Sequence, residues 1–268
     1  MTHINSAKTR PLVYITGASS GIGQALALRY YQAGYTLALV ARRTQLMQEW
    51  ALEQQLEPQR YALYAADVAV IDSACAAGRR CLEQQGLPDI VIANAGISWG
   101  VDTALREDLE VMQQVLAVNT TGMAASFQPF IAPMLERGSG SLVGIASVAG
   151  IRGLPGHGAY CASKSAAIAY CESLRGELQS SGVQVITLLP GYVDTPLTQN
   201  NPYAMPFLLS PQVFAARAFK AIEKKTSYAT IPWQMGLVAK IMRFLPNTIW
   251  DKLLVGKSRK PRYLQSNK

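Results

Sequence analysis

Leu12-Val-Tyr-Ile-Thr-Gly-Ala-Ser-Ser-Gly-Ile-Gly23 is the stretch of this sequence that decides the fold. An apolar run of strand length leads into three closely spaced glycines, and Ala25, Leu26 and Tyr30 then recur at helical spacing. A strand, a glycine-rich turn and a helix in this order place free backbone N–H groups and the positive end of a helix dipole beside an anion. We therefore expect the pyrophosphate of a dinucleotide at this turn, bound by Gly17, Ser19, Ser20, Gly21, Ile22 and Gly23.

Apolar runs of strand length alternate with helix-length segments along the rest of the chain. The predicted strands are residues 12–15, 36–41, 61–65, 90–93, 141–146, 184–189 and 228–231. Few polar residues interrupt these strands, which is typical of a parallel sheet covered by helices on both faces. The sequence predicts an α/β fold, a Rossmann-like doubly wound parallel sheet of about seven strands, with its site at the carboxyl ends of the strands.

The end of the second predicted strand bears on which dinucleotide binds. An acidic residue there would bind the ribose hydroxyls of NAD and repel a 2′-phosphate. Arg42 and Arg43 stand there instead, and guanidinium groups form charge-assisted hydrogen bonds to the 2′-phosphate of NADP. Arg43 would equally suit a solvated helix start. NADP(H) is favoured and NAD(H) stays open. Asp67, after the third strand, suits either the adenine edge or a turn.

A second motif, Tyr160-Cys-Ala-Ser-Lys164, predicts acid–base chemistry. A spacing of four puts the phenol and the ammonium on one face of a helix. An ammonium about 5 Å from a phenol, at an effective dielectric of about 20, favours the phenolate by about 3 kcal/mol, or about two pKa units. The pair alone also fits a packed aromatic with a snorkelling lysine. The glycine turn and Ser147, at the end of another apolar run, argue against that reading, because all of these features together are not expected by chance.

These motifs, in this order, resemble the short-chain dehydrogenase/reductase family, in its compact, NADP-preferring branch. The similarity covers roughly residues 12–195 and rests on Thr16-Gly-x-x-x-Gly-Ile-Gly23, Asn94-Ala-Gly96, Asn119, Ser147, Tyr160-x-x-x-Lys164, Pro190-Gly191 and Thr195. Two positions depart from the family pattern. Ala93 replaces a frequent asparagine, and Ser20 stands where many NADP-preferring members have a basic residue. Arg42 is thus left to carry most of the phosphate preference.

The resemblance implies an NADP-dependent oxidoreductase that transfers a hydride between nicotinamide and a carbonyl or alcohol. Tyr160 would exchange the proton, Ser147 would stabilise the charge on the substrate oxygen, and Lys164 would also hold the nicotinamide ribose. Asn119 would fix a water that links Lys164 to solvent, although by itself it would suit a polar position on a helix equally well. Besides the glycine turn and the two arginines, the implied cofactor-binding residues are Asp67, Val68, Asn94, Ala95, Gly96, Tyr160, Lys164, Pro190, Gly191, Val193 and Thr195. The helices that carry Asn119 and Tyr160 commonly pair between subunits in the family, which implies a homodimer or homotetramer.

The predicted substrate pocket is apolar. Its candidate walls are Ile97, Trp99, Leu154, Tyr192, Leu197, Tyr203, Met205, Phe207 and Leu208, although some of these would suit a core equally well. Such walls favour a hydrophobic ketone or aldehyde. His157 is predicted to lie in a loop, where it contacts the substrate or is solvated. One alternative function is reduction of a 3-oxoacyl thioester on an acidic carrier protein. Another is a non-catalytic NADP sensor, which the presence of Ser147, Tyr160 and Lys164 disfavours.

The 268 residues, 49% of them hydrophobic, suffice for one large α/β domain. We expect a single dinucleotide-binding catalytic domain over residues 1–268. Within it, the Asn- and Pro-rich loop 195–210 would be a substrate lid, and residues 233–268 a basic amphipathic extension. Residues 1–216 carry 13 Lys and Arg against 15 Asp and Glu, whereas residues 217–268 carry 12 against two. The positive charge therefore belongs to the C-terminal part of the chain.

The extension contains two apolar segments, 233–245 and 248–255, that charged residues interrupt too often for a membrane-spanning helix. A pair of basic amphipathic helices fits peripheral contact with a membrane surface, a lid on the pocket or a subunit interface, and the sequence leaves all three open. Nucleic acid is not an expected partner, because the basic cluster 257–262 lacks interleaved aromatic residues on a recognisable module.

The cysteines and the N-terminus bear on compartment and metals. The four cysteines show no Cys-x-x-Cys spacing and two histidines cannot complete a zinc site, so we predict no metal. Buried thiols in a reducing compartment are the expected state. Residues 1–10 are polar, with no apolar core of signal-peptide length behind them. These observations predict a cytoplasmic protein, peripheral to a membrane surface if the extension binds lipid.

Overall fold

The structure is a computed structural model that describes residues 10–263. The polar segment 1–9 and the last part of the predicted extension, 264–268, lie outside the described residues. Seven strands form the centre of the molecule: β1 (Leu12–Thr16), β2 (Thr36–Ala41), β3 (Tyr61–Ala65), β4 (Ile90–Ala93), β5 (Gly140–Ile145), β6 (Val183–Pro190) and β7 (Tyr228–Ile231). Each predicted strand is confirmed to within one residue at either end.

The strands form one parallel sheet in the order β3-β2-β1-β4-β5-β6-β7. The chain moves outward from β1 through β2 to β3, returns to β4 beside β1, and then moves outward in the opposite direction. This reversal opens a crevice at the carboxyl ends of β1 and β4, where doubly wound sheets bind their ligands. The predicted Rossmann-like fold is thereby confirmed.

Nine helices are present among the described residues. They are α1 (Gly21–Gln32), α2 (Thr44–Glu53), α3 (Ile71–Gln84), α4 (Arg106–Leu116), α5 (Gly122–Arg137), α6 (Gly158–Glu177), α7 (Pro211–Glu223), α8 (Trp233–Phe244) and α9 (Asn247–Leu254). A short π-helix, Ala117–Thr121, joins α4 to α5, and a 3-10 turn, Val148–Gly150, follows β5. No helix within residues 10–263 is long and apolar enough to cross a membrane.

Side chains of the buried strands alternate between two cores, one on each face of the sheet. In β1, Val13 and Ile15 pack with α1, α2 and α7, whereas Leu12 and Tyr14 pack with α3, α5 and α6. Both faces are therefore apolar, which explains why the strand sequences show so few polar positions. The core excludes water from both faces and leaves the carboxyl edge of the sheet as the place for a site.

The last part of the described chain lies over that edge. Helix α8 follows β7 directly, and Met235 and Ala239 pack on the apolar side chains that end β5 and β6. The predicted lid, residues 195–210, contains neither helix nor strand, and a parallel bridge between Val193 and Leu209 closes its base. Residues 257–263, which we call the C-terminal strap, then return across the site.

Candidate active site

The glycine turn lines a cleft at the crevice between β1 and β4. Two cavities, of about 160 and 110 Å³, share Gly17, Ala95 and Gly96 as walls and together make up this cleft. The predicted cofactor residues that line it are Gly17, Ser19, Ser20, Gly21, Ile22, Arg42, Arg43, Asp67, Val68, Asn94, Ala95, Gly96, Tyr160, Lys164, Pro190, Gly191, Val193 and Thr195. Gly23 is the exception, because it does not line the cleft.

Gly23 and Gly17 allow the turn and the helix to approach each other. A Cβ atom at Gly23 would lie 2.1 Å from the Gly17 carbonyl oxygen, so only glycine lets α1 begin this close to the turn. Gly17 has a φ of +68°, and a Cβ there would lie 2.7 Å from the Cα atom of Ala95. Gly23 thus positions the helix whose N-terminus faces the cleft, and a direct contact with the cofactor stays a prediction.

Thr16, which the sequence analysis named only as the start of the glycine motif, connects β1 to the end of β4. Its hydroxyl accepts hydrogen bonds from the backbone N–H groups of Asn94, at 3.1 Å, and Ala95, at 3.2 Å. The Asn94 amide in turn donates to the carbonyl oxygens of Thr16 and Gly17, at 3.0 and 3.3 Å. The two loops that flank the crevice are therefore held together by side chains at the strand ends.

The far end of the cleft is basic at its rim. Arg42 and Arg43 are both exposed there, and no carboxylate follows β2 directly. An Arg42 guanidinium nitrogen lies 3.8 Å from an Asp67 carboxylate oxygen. The other oxygen of Asp67 accepts a hydrogen bond from the Ala69 N–H at 3.0 Å, which gives Asp67 the turn role that the sequence had left open.

Asn119 lies in the π-helix between α4 and α5, a local widening that is frequent at functional sites. Its Oδ1 accepts from the Ile97 N–H, and its Nδ2 donates to the Ile97 carbonyl and to Ser163 Oγ, each at 2.9 Å. The side chain is buried and lines neither part of the cleft. Asn119 therefore joins the loop after β4 to α6. Gly96, in that loop, lies close to both polar side chains: a Cβ atom there would be 3.3 Å from Asn119 Oδ1 and 3.5 Å from Lys164 Nζ.

Tyr160, Lys164 and Ser147 meet at the inner end of the cleft. Tyr160 and Lys164 follow each other by one turn of α6, and Lys164 Nζ lies 5.9 Å from the centre of the Tyr160 ring. Ser147 lies two residues after β5 and caps the 3-10 turn that follows, where its Oγ accepts a hydrogen bond from the Ala149 N–H at 3.1 Å. It also lies close enough to the Tyr160 side chain to lower the pKa of the phenol. The local helix and strand end thus bring all three groups to one point.

The pKa of Tyr160 differs from what the sequence predicts. Burial raises the pKa of Tyr160 to about 12, and the Ser147 hydrogen bond offsets this increase only in part. Burial also lowers the pKa of Lys164, to about 8, and its Nζ donates a hydrogen bond to the Ile145 carbonyl at 2.8 Å. The predicted decrease in the pKa of Tyr160 is therefore wrong for the protein alone. The phenol keeps its proton at neutral pH.

A separate cavity, of about 590 Å³, adjoins the cleft, and we call it the apolar cavity. Ser147, Tyr160, Pro190 and Gly191 line both the cleft and this cavity. Loop 195–210, α8 and α9 form much of its outer wall. The junction between the two spaces therefore holds the hydroxyl groups that could act on a reacting oxygen.

Four of the predicted pocket walls line the apolar cavity, namely Leu154, Tyr192, Leu197 and Tyr203. Ile97 lines the cleft instead, and Trp99 packs edge-on against Tyr263 with ring centres 4.9 Å apart. Met205, Phe207 and Leu208 do not line the cavity, and the latter two are exposed. Among the walls that the sequence analysis did not name, five apolar side chains come from the C-terminal helices: Met235, Val238, Met242, Trp250 and Leu254. Their helical spacing was the available signal.

His157 and Lys260 place two basic groups in the wall of the apolar cavity. His157 is buried with its ring centre 5.7 Å from that of Tyr203, so the solvated alternative is wrong. Burial, assisted by the charge of Lys260, lowers the pKa of His157 to about 4. Lys260 Nζ donates to the Leu197 carbonyl at 2.8 Å, and burial lowers the pKa of this lysine to about 8. This bond joins the strap to the predicted lid.

Comparison with known proteins defines the family. The family model for short chain dehydrogenases matches residues 11–205. An uncharacterised oxidoreductase of Myxococcus xanthus is 35% identical over 88% of this chain and 93% of its own length. The chain therefore belongs to the short-chain dehydrogenase/reductase family, whose members are oxidoreductases that use nicotinamide cofactors.

Two solved structures show the same fold. An alcohol dehydrogenase from the archaeon Thermococcus sibiricus, complexed with 5-hydroxy-NADP, is 27% identical with a TM-score of 0.72, and the match covers 83% of this chain and 96% of that one. A short-chain dehydrogenase/reductase from Burkholderia phymatum, in complex with NAD, has a TM-score of 0.79 at 22% identity, over 94% and 96% of the two chains. At that identity the second likeness concerns the fold alone.

Proposed function

We propose that this protein is an NADP(H)-dependent carbonyl reductase or alcohol dehydrogenase that acts on an apolar ketone or aldehyde. One observation carries the proposal: the side chains of Ser147 and Tyr160 line both the cleft at the glycine turn and the apolar cavity, and so lie at their junction. A hydride donor in the cleft and a carbonyl in the cavity would meet at this point. The archaeal alcohol dehydrogenase, which binds an NADP derivative, supports the same assignment.

The cleft fits a nicotinamide dinucleotide in its details. Gly17 and Gly96 lack the Cβ atoms that would crowd the space between the turn, Asn94 and Lys164. The start of α1 would bind the pyrophosphate, Lys164 the nicotinamide ribose, and the segment from Pro190 to Thr195 the carboxamide. When bound, the nicotinamide supplies or accepts the hydride.

Three side chains would carry the proton chemistry in the direction of reduction. Ser147 would donate a hydrogen bond to the carbonyl oxygen and stabilise the charge that develops there. Tyr160, which keeps its proton because of burial, would transfer it from Oη to that oxygen. The Lys164 ammonium would stabilise the phenolate left behind, and a water held near Asn119 would connect Lys164 to solvent. The raised pKa of Tyr160 means only that the proton is present on the phenol before the reaction.

The preference for NADP(H) rests on Arg42 and Arg43 at the open rim of the cleft, whose guanidinium groups would bind a 2′-phosphate. No carboxylate directly follows β2, where it would repel that phosphate. Asp67 opposes this preference because it lies beside Arg42. The test is a thermal-shift comparison of NADPH with NADH for the wild type and for Arg42→Ala. We expect NADPH to stabilise the wild type more, and Arg42→Ala to remove most of the difference. Greater stabilisation by NADH would contradict the cofactor assignment.

The substrate class follows from the walls of the apolar cavity. A panel of cyclic and long-chain ketones, aldehydes, small polyols and acetoacetyl thioesters would test it with NADPH and NADP⁺. We expect the apolar carbonyl compounds to react fastest. Faster turnover of the polyols would contradict an apolar substrate, and faster turnover of the thioester would support a 3-oxoacyl reductase instead.

Assembly and location complete the proposal. Members of the family are typically oligomers, and we propose a homodimer or homotetramer that forms through the helices near Asn119 and Tyr160. Light scattering of the purified protein would test this, and a monomer would contradict it. All four cysteines are buried and free, which fits the reducing cytoplasm. Cell fractionation would show whether the protein is found there.

A further inference from the structure

Helix α8 has two apolar stripes, and residues 10–263 cover only one of them. The inner stripe, Met235, Val238 and Met242, lines the apolar cavity. The outer stripe is exposed and follows spacings of four, four and three residues: Trp233, Leu237, Ile241 and Phe244. Such spacing keeps its members on one face of the helix. Trp233 is 72% exposed and Phe244 is 84% exposed, although large aromatic side chains usually bury most of their surface.

Helix α9 repeats this arrangement on a smaller scale. Trp250 and Leu254 line the apolar cavity, while Ile249 and Leu253 are exposed on the neighbouring stripe. No residue of α9 is buried. An isolated helix of this length is marginal in water, so a surface that covered Ile249 and Leu253 would supply burial that the chain does not.

Exposed cations border both outer stripes. Lys240 and Arg243 lie beside the stripe of α8, and Lys252 lies beside that of α9. Within residues 10–263, none of these three has a carboxylate within the 4.0 Å of an ion pair. Asp251 is the only acidic residue between positions 224 and 268. The apolar stripes and cations together form what we call the basic-apolar face: Trp233, Leu237, Lys240, Ile241, Arg243, Phe244, Ile249, Lys252 and Leu253.

We propose that the basic-apolar face docks on an anionic lipid surface. The apolar stripes would enter the boundary between headgroups and acyl chains, and the lysine and arginine heads would meet lipid phosphates while their stems cover apolar surface. A second copy of the chain is a poorer occupant. A two-fold interface pairs a patch with itself, so this face would bring like charges together without carboxylates to balance them.

Docking in this orientation would place the apolar cavity next to the lipid. The same two helices form the wall of the cavity and the face that enters the membrane, so an apolar carbonyl compound would have a short path from the acyl chains to Tyr160. This last step rests on the proposed function. The docking itself depends only on the exposed side chains of α8 and α9.

The first test is co-sedimentation of the full chain with vesicles. We compare vesicles of phosphatidylcholine alone with vesicles of phosphatidylcholine mixed with phosphatidylglycerol. We expect binding to the mixed vesicles, weak binding to phosphatidylcholine alone, and weaker binding as the salt concentration rises. Absence of binding to the mixed vesicles would overturn the proposal.

The second test uses matched variants. Lys240→Glu with Arg243→Glu reverses charge on the face, and we expect it to weaken binding by about tenfold or more. The control is Lys224→Glu with Lys225→Glu, two exposed lysines that precede β7 at the amino edge of the sheet, and it should bind nearly as the wild type does. Equal losses in both double variants would show non-specific attraction to charge and would overturn the proposal.

The apolar part of the face is tested by Leu237→Ser with Phe244→Ser, against Leu52→Ser in α2, whose side chain is 64% exposed. We expect vesicle binding to fall only in the α8 variant. Light scattering excludes the other occupant: if this variant dissociates an oligomer, the face is a subunit interface and the proposal is wrong. Stabilisation by NADPH is measured for every variant, because it reports on the dinucleotide site independently of docking. If NADPH does not stabilise the wild type either, this result contradicts the proposed function and leaves the docking proposal unaffected.

Discussion

Arg262 and Asp108 form a two-point ion pair between residues that are 154 positions apart in the chain. Arg262 Nε lies 2.6 Å from Asp108 Oδ2, and Nη2 lies 2.8 Å from Oδ1. The Asp108 side chain is inaccessible to solvent, and Oδ2 also accepts from the Asp102 N–H at 2.7 Å. The pair joins the C-terminal strap to the start of α4, and therefore holds the wall that carries Lys260 beside the apolar cavity.

Removal of this arginine should loosen the strap. Arg262→Met would leave a buried carboxylate without its main partner, so we expect a clearly lower Tm and weaker substrate binding. Arg106→Met is the matched control, since Arg106 forms an exposed ion pair with Glu110 on the same helix and should change the Tm very little. Equal Tm values for the two variants would show that the strap does not depend on the pair.

The same pair predicts an acid-sensitive contribution to stability. The Arg262 hydrogen bonds lower the pKa of Asp108 below its ordinary value. This stabilisation is present above the unfolded pKa of about 3.9 and is lost as the pH falls through the lower folded pKa. Urea unfolding across this range should show a smaller acid-dependent loss in Asp108→Asn than in the wild type.

Tyr160→Phe should abolish most turnover while the fold persists. The substitution removes only the hydroxyl that would transfer the proton, and general acid–base catalysis is typically worth about 10²–10⁴-fold in rate. We expect kcat to fall by that order, with stabilisation by NADPH retained. Tyr170→Phe, on the same helix but stacked on Phe127 away from the cleft, is the control and should keep its activity. Undiminished kcat in Tyr160→Phe would contradict the assigned role.

Lys164→Met should stabilise the protein although it impairs catalysis. Burial lowers the pKa of Lys164 from 10.5 to about 8, so the folded state disfavours the ammonium by about 3 kcal/mol at neutral pH. Loss of the hydrogen bond to Ile145 offsets about 1 kcal/mol of the gain. In the wild type, the unfolded state binds more protons between pH 8 and 10.5, so this penalty declines as the pH rises. Urea unfolding at pH 7 would check the sign, and a less stable variant would contradict it.

His157 should make the protein less stable in mild acid. Its pKa is about 4 in the folded protein and 6.5 ordinarily, so the unfolded state binds more protons between these values. Stability is therefore lost as the pH falls from 6.5 towards 4, by up to about 3 kcal/mol. His157→Gln should lose less stability over this range. If both proteins lose the same amount, another group is responsible.

Two glycine substitutions should have opposite effects. Gly23→Ala puts a Cβ atom 2.1 Å from the Gly17 carbonyl oxygen, so we expect a lower Tm and reduced stabilisation by NADPH. Gly176→Ala lies in α6, where a Cβ atom would meet no other atom within 4 Å, and should raise stability by about 0.5–1 kcal/mol. Normal stabilisation by NADPH in Gly23→Ala would show that the approach of α1 does not matter for the cleft.

Local sequence determined the sheet, the glycine turn and the Tyr160–Lys164 register. Strands and helices have short periods, so ten to twenty residues suffice to predict each one. The parallel order then followed because buried strands that alternate with helices have few alternative arrangements. The resemblance to the family implied most of the cofactor-binding residues, and all of those named except Gly23 line the cleft at the carboxyl edge of the sheet.

The tertiary structure decided what depends on distant residues. The pKa of Tyr160 rises because surrounding elements bury the phenol, and this burial cannot be predicted from a spacing of four. Asn119 does not line the cleft because its side chain is hydrogen-bonded to Ile97 and Ser163, which joins the loop after β4 to α6. Met242 and Trp250 became walls of the apolar cavity because the chain returns across the sheet edge after β7. Burial and electrostatics sum over the whole packed molecule, so they are fixed only once the chain has folded.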